Sequence, residues 1–215
     1  MRRVVAIDGP AGAGKSTIAR TLAEKLGLTY IDTGAMYRAV ALRALRDGVT
    51  LDDSAALERI AVDAGIEFGA GRRTLFDGED VSEAIRTPEV ASGASKVAAV
   101  GPVRVALVAK QRAMADTVGV VMEGRDIGTV VFPDATVKIF LDADPFERAK
   151  RRAAETPGVS VEELARQIAE RDARDSGRAE SPLVQAPDAV RVDTTGLSID
   201  EVVAKILEIA VRKEL

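Results

Sequence analysis

The sequence has no cysteine and no histidine among its 215 residues. Without cysteine there is no disulfide, no thiolate nucleophile and no zinc site of the Cys/His type, and without histidine there is no imidazole general base. Aromatic residues make up only 3% of the chain, which disfavours recognition of single-stranded nucleic acid by base stacking. Any chemistry of this chain must therefore proceed without a thiol or an imidazole.

Net charge and hydropathy indicate which partners and which cellular location to expect for this protein. The net charge of −4 disfavours general binding to nucleic acid, although a local arginine cluster can still bind an anionic substrate. No apolar run approaches the length of a transmembrane helix, and the start MRRVVAIDGP lacks the hydrophobic stretch of a signal peptide. We therefore expect a soluble cytoplasmic protein. The length and the 47% of hydrophobic residues predict one large domain or a core with insertions.

A glycine-rich segment, GPAGAGKST, follows the apolar run Val4–Ile7 directly. It matches the phosphate-loop pattern G-x-x-x-x-G-K-S, in which backbone N–H groups and a helix N-terminus surround phosphates. In that pattern Lys15 reaches the β- and γ-phosphates and the Ser16 hydroxyl holds Mg²⁺. A glycine-rich turn between any strand and any helix is the structural alternative. The predicted ATP-binding residues are Gly9, Pro10, Ala11, Gly12, Ala13, Gly14, Lys15, Ser16 and Thr17.

The order of apolar runs and helical patterns predicts an α/β fold with a parallel sheet. After the loop, Ile18, Leu22 and Leu26 recur at helical spacing, and Gly27 stands where a C-terminal cap belongs. Ser198 begins the last predicted helix with a capping box. The five apolar runs lack strict alternation, which is typical of strands covered on both faces. The predicted strands are Val4–Asp8, Leu28–Asp32, Gly119–Glu123, Val137–Leu141 and Val190–Asp193.

Two regions depart from this alternation. Ile66–Phe68 alternates and Asp77-Gly78 is a hairpin-type pair, which predicts a small antiparallel insert over about residues 64–85. Thr87-Pro88 predicts a helix start, and Gly101-Pro102 predicts a break. The second region, Arg148 to Arg178, is dense in both charges and interrupted at Thr156-Pro157-Gly158. It suits either a charged helical hairpin over a site or a solvated, salt-bridged helix pair.

Four positions could supply chemistry beside the phosphate loop. Two of them follow predicted strands, at the sheet edge where open α/β folds bind ligands. Arginine recurs in all four, and its planar fork matches phosphate oxygens bidentately. The positions are Asp32-Thr33-Gly34 with Tyr37-Arg38, Ser95 with Arg104, Gly124-Arg125-Asp126, and the helical set Arg171, Arg174, Asp175 and Arg178.

Each position also has a purely structural interpretation. Arg38 could pair with Asp47 or another surface acid, and Arg125 could pair with Asp126. Tyr37 could be a core residue with one satisfied hydroxyl. Taken together, the arginines favour a second phosphorylated ligand facing the nucleotide on the loop.

These segments resemble the bacterial cytidylate kinases, a family of P-loop nucleoside monophosphate kinases. The resemblance covers essentially the whole chain, residues 1–215. The phosphate loop is shared by many proteins, whereas the later segments are much more specific to this family. The segments are IDGPAGAGKST, IDTGAMYR, EDVSEAIRTPEVASGASKVAAV, PVR, GRDIGTVVFPDA and ERDARDSGR.

The resemblance implies one domain with a five-stranded parallel sheet, a nucleoside-monophosphate-binding insert at about 33–104 and a mobile lid at about 148–178. It implies transfer of the γ-phosphoryl group of ATP to CMP or dCMP, as part of pyrimidine nucleotide metabolism, with Mg²⁺ as the metal. We expect the protein to be a monomer that binds neither nucleic acid nor a membrane. Among metal ligands Ser16 is the first candidate and Asp32 a weaker, water-mediated one.

Residue roles follow from the same resemblance. It implies Lys15, Arg125 and Arg178 as the catalytic residues, and it places Thr33, Arg104 and Asp126 against the cytosine. Thr33 stands where some relatives have serine, so a hydroxyl is retained. The implied CMP-binding residues are Thr33, Tyr37, Arg38, Ser95, Arg104, Arg125, Asp126, Arg171, Asp175 and Arg178.

This chemistry suits a chain without histidine, because the attacking oxygen of CMP is already anionic and catalysis is positioning plus charge stabilisation. Two alternatives remain open from the residues alone. The first is a P-loop kinase for another acceptor, such as UMP, AMP or shikimate. The second is a nucleotide-dependent switch, although the sequence has neither an N-K-x-D nor an L-S-G-G-Q motif.

Overall fold

The computed structural model describes residues 3–69, 73–156, 158–213 and 215. Of the predicted interruption at Thr156-Pro157-Gly158, Pro157 lies outside the described residues. The chain forms two compact units, which are described separately below. Unit 1 comprises Met1–Ile31 and Ala115–Leu215, and unit 2 comprises Asp32–Met114.

A five-stranded parallel sheet organises unit 1. Its strands are β1 (Val4–Asp8), β2 (Thr29–Asp32), β6 (Val120–Gly124), β7 (Val137–Asp142) and β8 (Val190–Asp193). They run in the order β2-β6-β1-β7-β8, and β1 pairs in parallel with both β6 and β7. Every residue of β1 is buried, as expected for a central strand covered on both faces. The prediction of a five-stranded parallel sheet is confirmed.

Helices of unit 1 begin and end at residues with identifiable caps. Helix α1 (Lys15–Leu26) ends at Gly27, whose left-handed backbone lets its N–H reach the last carbonyls of the helix. Asp144 caps α6 (Pro145–Glu155) by accepting two backbone N–H groups, and Ser160 caps α7 (Val161–Ser176). Helix α8 (Ile199–Arg212) begins with the predicted capping box of Ser198 and Glu201.

Unit 2 is helical with a small antiparallel sheet. The strands β3 (Ile66–Phe68), β4 (Thr74–Phe76) and β5 (Glu79–Asp80) lie in that order, which confirms the predicted insert. Asp77 and Gly78 join β4 to β5 with φ angles of 51° and 83°, values that suit a hairpin turn. A 3₁₀ turn, Ala84–Arg86, follows.

Four α-helices of unit 2 pack around one apolar core. They are α2 (Thr33–Arg46), α3 (Ser54–Asp63), α4 (Pro88–Val97) and α5 (Gly101–Met114). The hydroxyl of Thr87 caps α4 by accepting from the N–H of Val90 at 3.3 Å, and Pro88 occupies the first turn as predicted. The predicted break at Gly101-Pro102 is confirmed, since a new helix begins there.

One element of unit 1 has no counterpart in the sequence-based expectations. Directly after β6 the chain forms a π-helical turn, Ile127–Val131. The carbonyl of Asp126 accepts the N–H groups of both Val130 and Val131, at 2.9 and 3.2 Å. Such turns are rare and occur often at functional sites. Within the described ranges, no helix combines the length and apolar character needed to span a membrane.

Candidate active site

The phosphate loop lies between β1 and α1 in unit 1. Gly9, Gly12 and Gly14 have φ angles of 152°, 77° and 87°, which side-chain-bearing residues rarely adopt. A Cβ atom on Gly9 would lie 2.0 Å from the carbonyl oxygen of Leu141, so no larger residue fits there. The loop therefore has the glycine-dependent backbone that the sequence predicted for holding phosphates.

Lys15 begins α1 and is buried, with 6% of its surface exposed. Its Nζ donates to the carbonyl oxygen of Pro10 at 2.7 Å, which keeps the amine against the loop. Burial lowers the pKa of Lys15 to about 7, helped by the positive charge of Arg125 and opposed by the carboxylate of Glu123. A phosphate group at this position would restore the ordinary preference for the charged amine.

A pair of charged residues holds the backbone N–H and the backbone carbonyl of Ala11 in the same loop. The Asp172 carboxylate on α7 accepts the N–H of Ala11 at 3.0 Å. Arg148 on α6 donates to the carbonyl oxygen of Ala11 at 3.0 Å and also pairs with Asp172. Sequence reasoning missed this contact, because it assigned the whole charged region to a lid and named no partner in the loop.

Asp175 joins two of the predicted phosphate-binding arginines. Its carboxylate accepts from Arg125 Nε at 2.8 Å and from Arg178, which contacts the other oxygen. Asp175 is only 1% exposed, and burial raises its pKa. The charges of Arg125, Arg178 and Arg171 outweigh that effect, so the pKa lies below its ordinary value and the carboxylate stays ionised.

This pairing bears on two interpretations of the sequence. Arg125 pairs with Asp175, 50 residues away in the chain. Arg178 does not share a helix face with Arg171 and Asp175 as expected, because α7 ends at Ser176 with Gly177 as its cap. Arg178 nonetheless reaches Asp175 from beyond the helix end. Arg174 is exposed and turns back to the carbonyl of Glu170.

Asp126 follows Arg125 at the carboxyl end of β6 and is 5% exposed. Its peptide carbonyl begins the π-helical turn, and its side chain raises the pKa of nearby Asp8 by electrostatic repulsion. Unit 1 therefore brings Asp126 close to a buried carboxylate that sequence reasoning did not single out. The position of Asp8, last in a buried strand before the phosphate loop, was the available signal.

In unit 2 the predicted residues at the start of α2 are largely buried. Thr33 is 3% exposed, and Tyr37, one turn later, is 8% exposed and part of the unit's core. Arg38 pairs with Asp32 at 2.7 Å, not with Asp47, which pairs with Arg43. Asp32 also caps α2 through the N–H of Ala35, so its carboxylate has two structural partners. The weaker, water-mediated metal role of Asp32 stays a prediction.

Arg104 and Ser95 are the other predicted residues of unit 2. The Arg104 guanidinium lies 5.4 Å from the centre of the Tyr37 ring, within cation–π range, and donates to the carbonyl of Ala98 at 3.1 Å. Ser95 on α4 is 7% exposed, and among the described residues its hydroxyl has no hydrogen-bond partner. A buried hydroxyl without a partner is costly, which suits a group that meets a ligand.

The residues present fit Mg²⁺ bound in the manner of P-loop proteins. Ser16, in the first turn of α1, is exposed beside buried Lys15 and carries a hard oxygen donor. Among the residues described, no group of three or more His, Cys, Asp or Glu side chains could hold a metal ion. A magnesium site here would thus depend on one hydroxyl, nucleotide phosphates and water, which Mg²⁺ accepts readily.

Comparison with known proteins identifies the family. A family model described as "Cytidylate kinase" matches residues 5–212. The chain belongs to the cytidylate kinase family. A cytidylate kinase of Solibacter usitatus is 60% identical over 214 residues, covering 97% of this chain and 92% of the relative. A cytidylate kinase of Desulforamulus reducens is 54% identical, covering 95% of each chain.

The cytidylate kinase family also occurs within a longer protein. A bifunctional pantoate ligase/cytidylate kinase of Parasynechococcus marenigrum is 53% identical to this chain, covering 95% of it but 43% of that protein. The predictions of the family and of phosphoryl transfer from ATP to CMP or dCMP are confirmed.

Solved structures support the fold alone. A protein of Eubacterium ventriosum superposes with a TM-score of 0.58 at 12% identity, covering 97% of this chain and 98% of the other. A gluconokinase of Sinorhizobium meliloti gives a TM-score of 0.51 at 16% identity, covering 98% and 93%. The cytidylate kinase chain therefore shares its architecture with distant proteins, including a kinase for a different acceptor.

Proposed function

We propose that the phosphate loop and the Arg125–Asp175–Arg178 cluster of unit 1 carry out the phosphoryl transfer of this cytidylate kinase. The observation that carries the proposal is the arrangement around Lys15. Arg125 and Arg171 lie close enough to depress its pKa, so that three cations surround one region beside the loop. Asp175 and Glu123 balance part of this positive charge, and the low pKa of Lys15 shows that burial and the neighbouring cations still disfavour its charged form. A polyanion bound at this place would favour the charged amine. Two nucleotides with facing phosphates supply that negative charge.

ATP binds through its phosphates to the backbone N–H groups of Gly9–Thr17 and to Lys15. The attacking group is a phosphate oxygen of CMP, which is anionic at neutral pH and needs no general base. It forms a bond to the γ-phosphorus while the bond from that phosphorus to the β–γ bridging oxygen breaks, giving ADP and CDP. The protein contributes position and positive charge, which dominate catalysis in P-loop kinases.

Arg125 and Arg178 stabilise the charge that develops on the transferring group. Asp175 holds both guanidinium groups by opposite oxygens, so their directions are fixed before substrate binds. A preorganised charge costs no reorganisation during the reaction, which is why such groups accelerate it. Arg171 adds charge to the same region, and together with Asp175 and Ser95 it contacts the sugar and its surroundings.

Base selection depends on Asp126, Arg104 and Thr33. Cytosine has acceptors at O2 and N3 and a donor amino group. A carboxylate such as Asp126 accepts from that amino group, and an arginine such as Arg104 donates to the ring acceptors. Uracil reverses this pattern, since it has a carbonyl in place of the amino group and a protonated N3. Tyr37 and Arg38 complete the monophosphate pocket.

We assign Mg²⁺ to the Ser16 hydroxyl together with nucleotide phosphates. When bound, the ion neutralises charge on the phosphates of ATP.

We further propose that the protein acts as a monomer in the cytoplasm, with ATP and CMP or dCMP as its partners. Residues 148–178 form the lid that excludes water from the transferring group, and residues 33–104 form the monophosphate-binding part.

A coupled ADP-release assay with CMP, dCMP, UMP and AMP, each with MgATP, tests the proposal. CMP and dCMP should support turnover far above UMP and AMP. The Lys15→Ala variant should lose turnover while it keeps its circular-dichroism spectrum. Equal rates with all four acceptors, or an active Lys15→Ala variant, would contradict the assigned site. If turnover were fastest with AMP or UMP, the assignment of the residues that recognise the base would be wrong.

A further inference from the structure

Asp8 is the last residue of β1 and precedes the phosphate loop. It is 5% exposed, so its carboxylate lies in the interior of unit 1. Each carboxylate oxygen accepts one backbone N–H: Oδ1 accepts that of Ile127 at 2.8 Å and Oδ2 accepts that of Gly128 at 2.7 Å. These donors lie 119 and 120 residues further along the chain. Asp8 therefore connects the start of the nucleotide loop to the segment after β6.

The sheet register defines what this connection fixes. Asp8 on β1 lies opposite Gly124 on β6, so the parallel ladder holds the chain at Gly124. The carboxylate of Asp8 holds it again at Ile127 and Gly128. Only two residues, Arg125 and Asp126, lie between these two points. A two-residue segment anchored at both ends has little backbone freedom.

The π-helical turn explains why a carboxylate is needed here. The first N–H groups of any helical turn have no partner within the turn. Asp8 accepts two of these N–H groups from a different element, as an N-cap residue does from within a helix. An ionised Asp or Glu accepts hydrogen bonds at both carboxylate oxygens. The amide of Asn has only one acceptor oxygen and carries an NH2 donor in place of the other. At this site that donor would face a backbone N–H.

The ionised form of Asp8 is disfavoured in the interior of unit 1. Burial raises the pKa of Asp8 to about 6, opposed by the N–H groups of Gly128 and Ile127. The neighbouring Asp126 raises the pKa further, and Lys15 on α1 lowers it. A buried carboxylate beside a second carboxylate is unfavourable for folding alone. The two backbone hydrogen bonds at 2.8 and 2.7 Å offset part of this cost and hold the segment that carries Arg125 and Asp126.

We infer that Asp8 is a positioning residue that sets the directions of Arg125 and Asp126, and thereby the selection of cytosine over uracil. The inference rests on the proposed function, in which Asp126 reads the base. Asp8 touches neither nucleotide. It acts by fixing the peptide segment that carries the two substrate-contacting side chains.

The test compares Asp8→Asn with the wild type and with Asp53→Asn as a matched control. Asp53 also accepts a backbone N–H, that of Ala56 at 2.9 Å, at the start of α3, and Asn is an equally good cap there. For each protein kcat/KM is measured with CMP and with UMP, together with KM for ATP and the melting temperature. The CMP/UMP ratio is the decisive quantity, because both substrates carry the same phosphate and a general loss of active protein cancels in it.

Loss of one buried acceptor should lower the CMP/UMP ratio of Asp8→Asn by about tenfold, with KM for ATP within about threefold of wild type. Asp53→Asn should keep the wild-type ratio. If Asp8→Asn lost activity with both substrates in parallel and kept the ratio, Asp8 would be only structural and the inference would be overturned. A wild type without preference for CMP would instead overturn the base-reading assignment, and with it the specificity part of this inference.

A second measurement needs no variant and covers the case in which Asp8→Asn does not fold. The amide protons of Ile127 and Gly128 are followed by NMR in the wild type as the pH is lowered. They should titrate together with a midpoint near 6, the pKa of Asp8. The Arg125 Nε–H and Asp126 resonances should move with the same midpoint, distinct from that of Lys15 near 7. If the chemical shifts of Arg125 and Asp126 did not change across the titration of Asp8, the inference would be overturned.

Discussion

The Asp172 carboxylate accepts the backbone N–H of Ala11 at 3.0 Å, joining α7 to the phosphate loop across 161 residues of sequence. Arg148 completes the contact from α6, since it donates to the carbonyl of Ala11 and pairs with Asp172. The N–H and the carbonyl of Ala11, which belong to the two peptide groups on either side of its Cα, are thus held by residues of α7 and α6. This contact links the placement of α6 and α7 to the geometry of the phosphate loop.

Replacing Asp172 with Asn should weaken ATP binding. The amide oxygen can still accept from Ala11, but the ion pair with Arg148 is lost and the loop is held less firmly. We expect KM for ATP to rise by about tenfold, the cost of one charge-assisted hydrogen bond, with KM for CMP changed less. Steady-state kinetics with each substrate varied in turn measure this split. Glu170→Gln, an exposed change on the same helix, is the control and should leave both constants unchanged.

Binding of MgATP should take up protons near neutral pH. Burial and the charge of Arg125 lower the pKa of Lys15 to about 7 in the protein without nucleotide, so the amine is partly neutral at pH 7 to 8. The triphosphate favours the charged amine and raises the pKa, so binding at pH 8 draws a proton from solution. The chain has no histidine or cysteine that would titrate in the same range.

Isothermal titration calorimetry at pH 8 in two buffers of different ionisation enthalpy measures this uptake. The apparent binding enthalpy should differ between buffers for the wild type and much less for Lys15→Met. A wild-type enthalpy that is the same in both buffers would show that Lys15 is already charged before ATP binds.

Arg125→Ala should abolish most turnover with little loss of stability. Arginines at the transferring group of P-loop enzymes contribute about 10³-fold or more in rate, so we expect kcat to fall by that order. Stability should change little, because Asp175 keeps its pairing with Arg178. The control is Arg43→Ala, since Arg43 is an exposed arginine that pairs with Asp47. Turnover of Arg125→Ala within about threefold of wild type would refute a transition-state role.

Asp126→Asn should narrow the preference for CMP over UMP. The amide can donate to the O4 of uracil as well as accept from the amino group of cytosine, so the penalty against uracil falls. The ratio of kcat/KM for the two acceptors should decrease by about tenfold, the cost of one mismatched hydrogen-bond pair. An unchanged ratio would remove Asp126 as the reader of the base and leave Arg104 and Thr33 to be tested next.

Local patterns in the sequence predicted most of the fold. The apolar run Val4–Asp8 matches β1 to the residue, because a continuous apolar segment before a glycine loop has few alternatives to a buried strand. Thr87 and Ser198 cap the helices that their neighbours predicted. These features depend on residues within a few positions of one another, and sequence displays such relationships directly.

Contacts between distant segments were not predictable in the same way. The hydrogen bonds from Ile127 and Gly128 to Asp8, and from Ala11 to Asp172, require knowledge of which strands are adjacent and where a helix packs. The prediction that Arg178 lies on one helix face with Arg171 and Asp175 was wrong, because α7 ends at Ser176 and Gly177 is its cap. The site residues named from the family resemblance remain predictions in their roles.

A crystal structure with CMP and a non-hydrolysable ATP analogue tests the central claim most directly. The triphosphate should lie on the backbone amides of Gly9–Thr17, and the monophosphate of CMP should contact Arg125 with its end facing the γ-phosphate. Lys15 should lie beside the transferring group. A pyrimidine nucleotide bound away from Arg125, or a triphosphate bound away from the loop, would contradict the account.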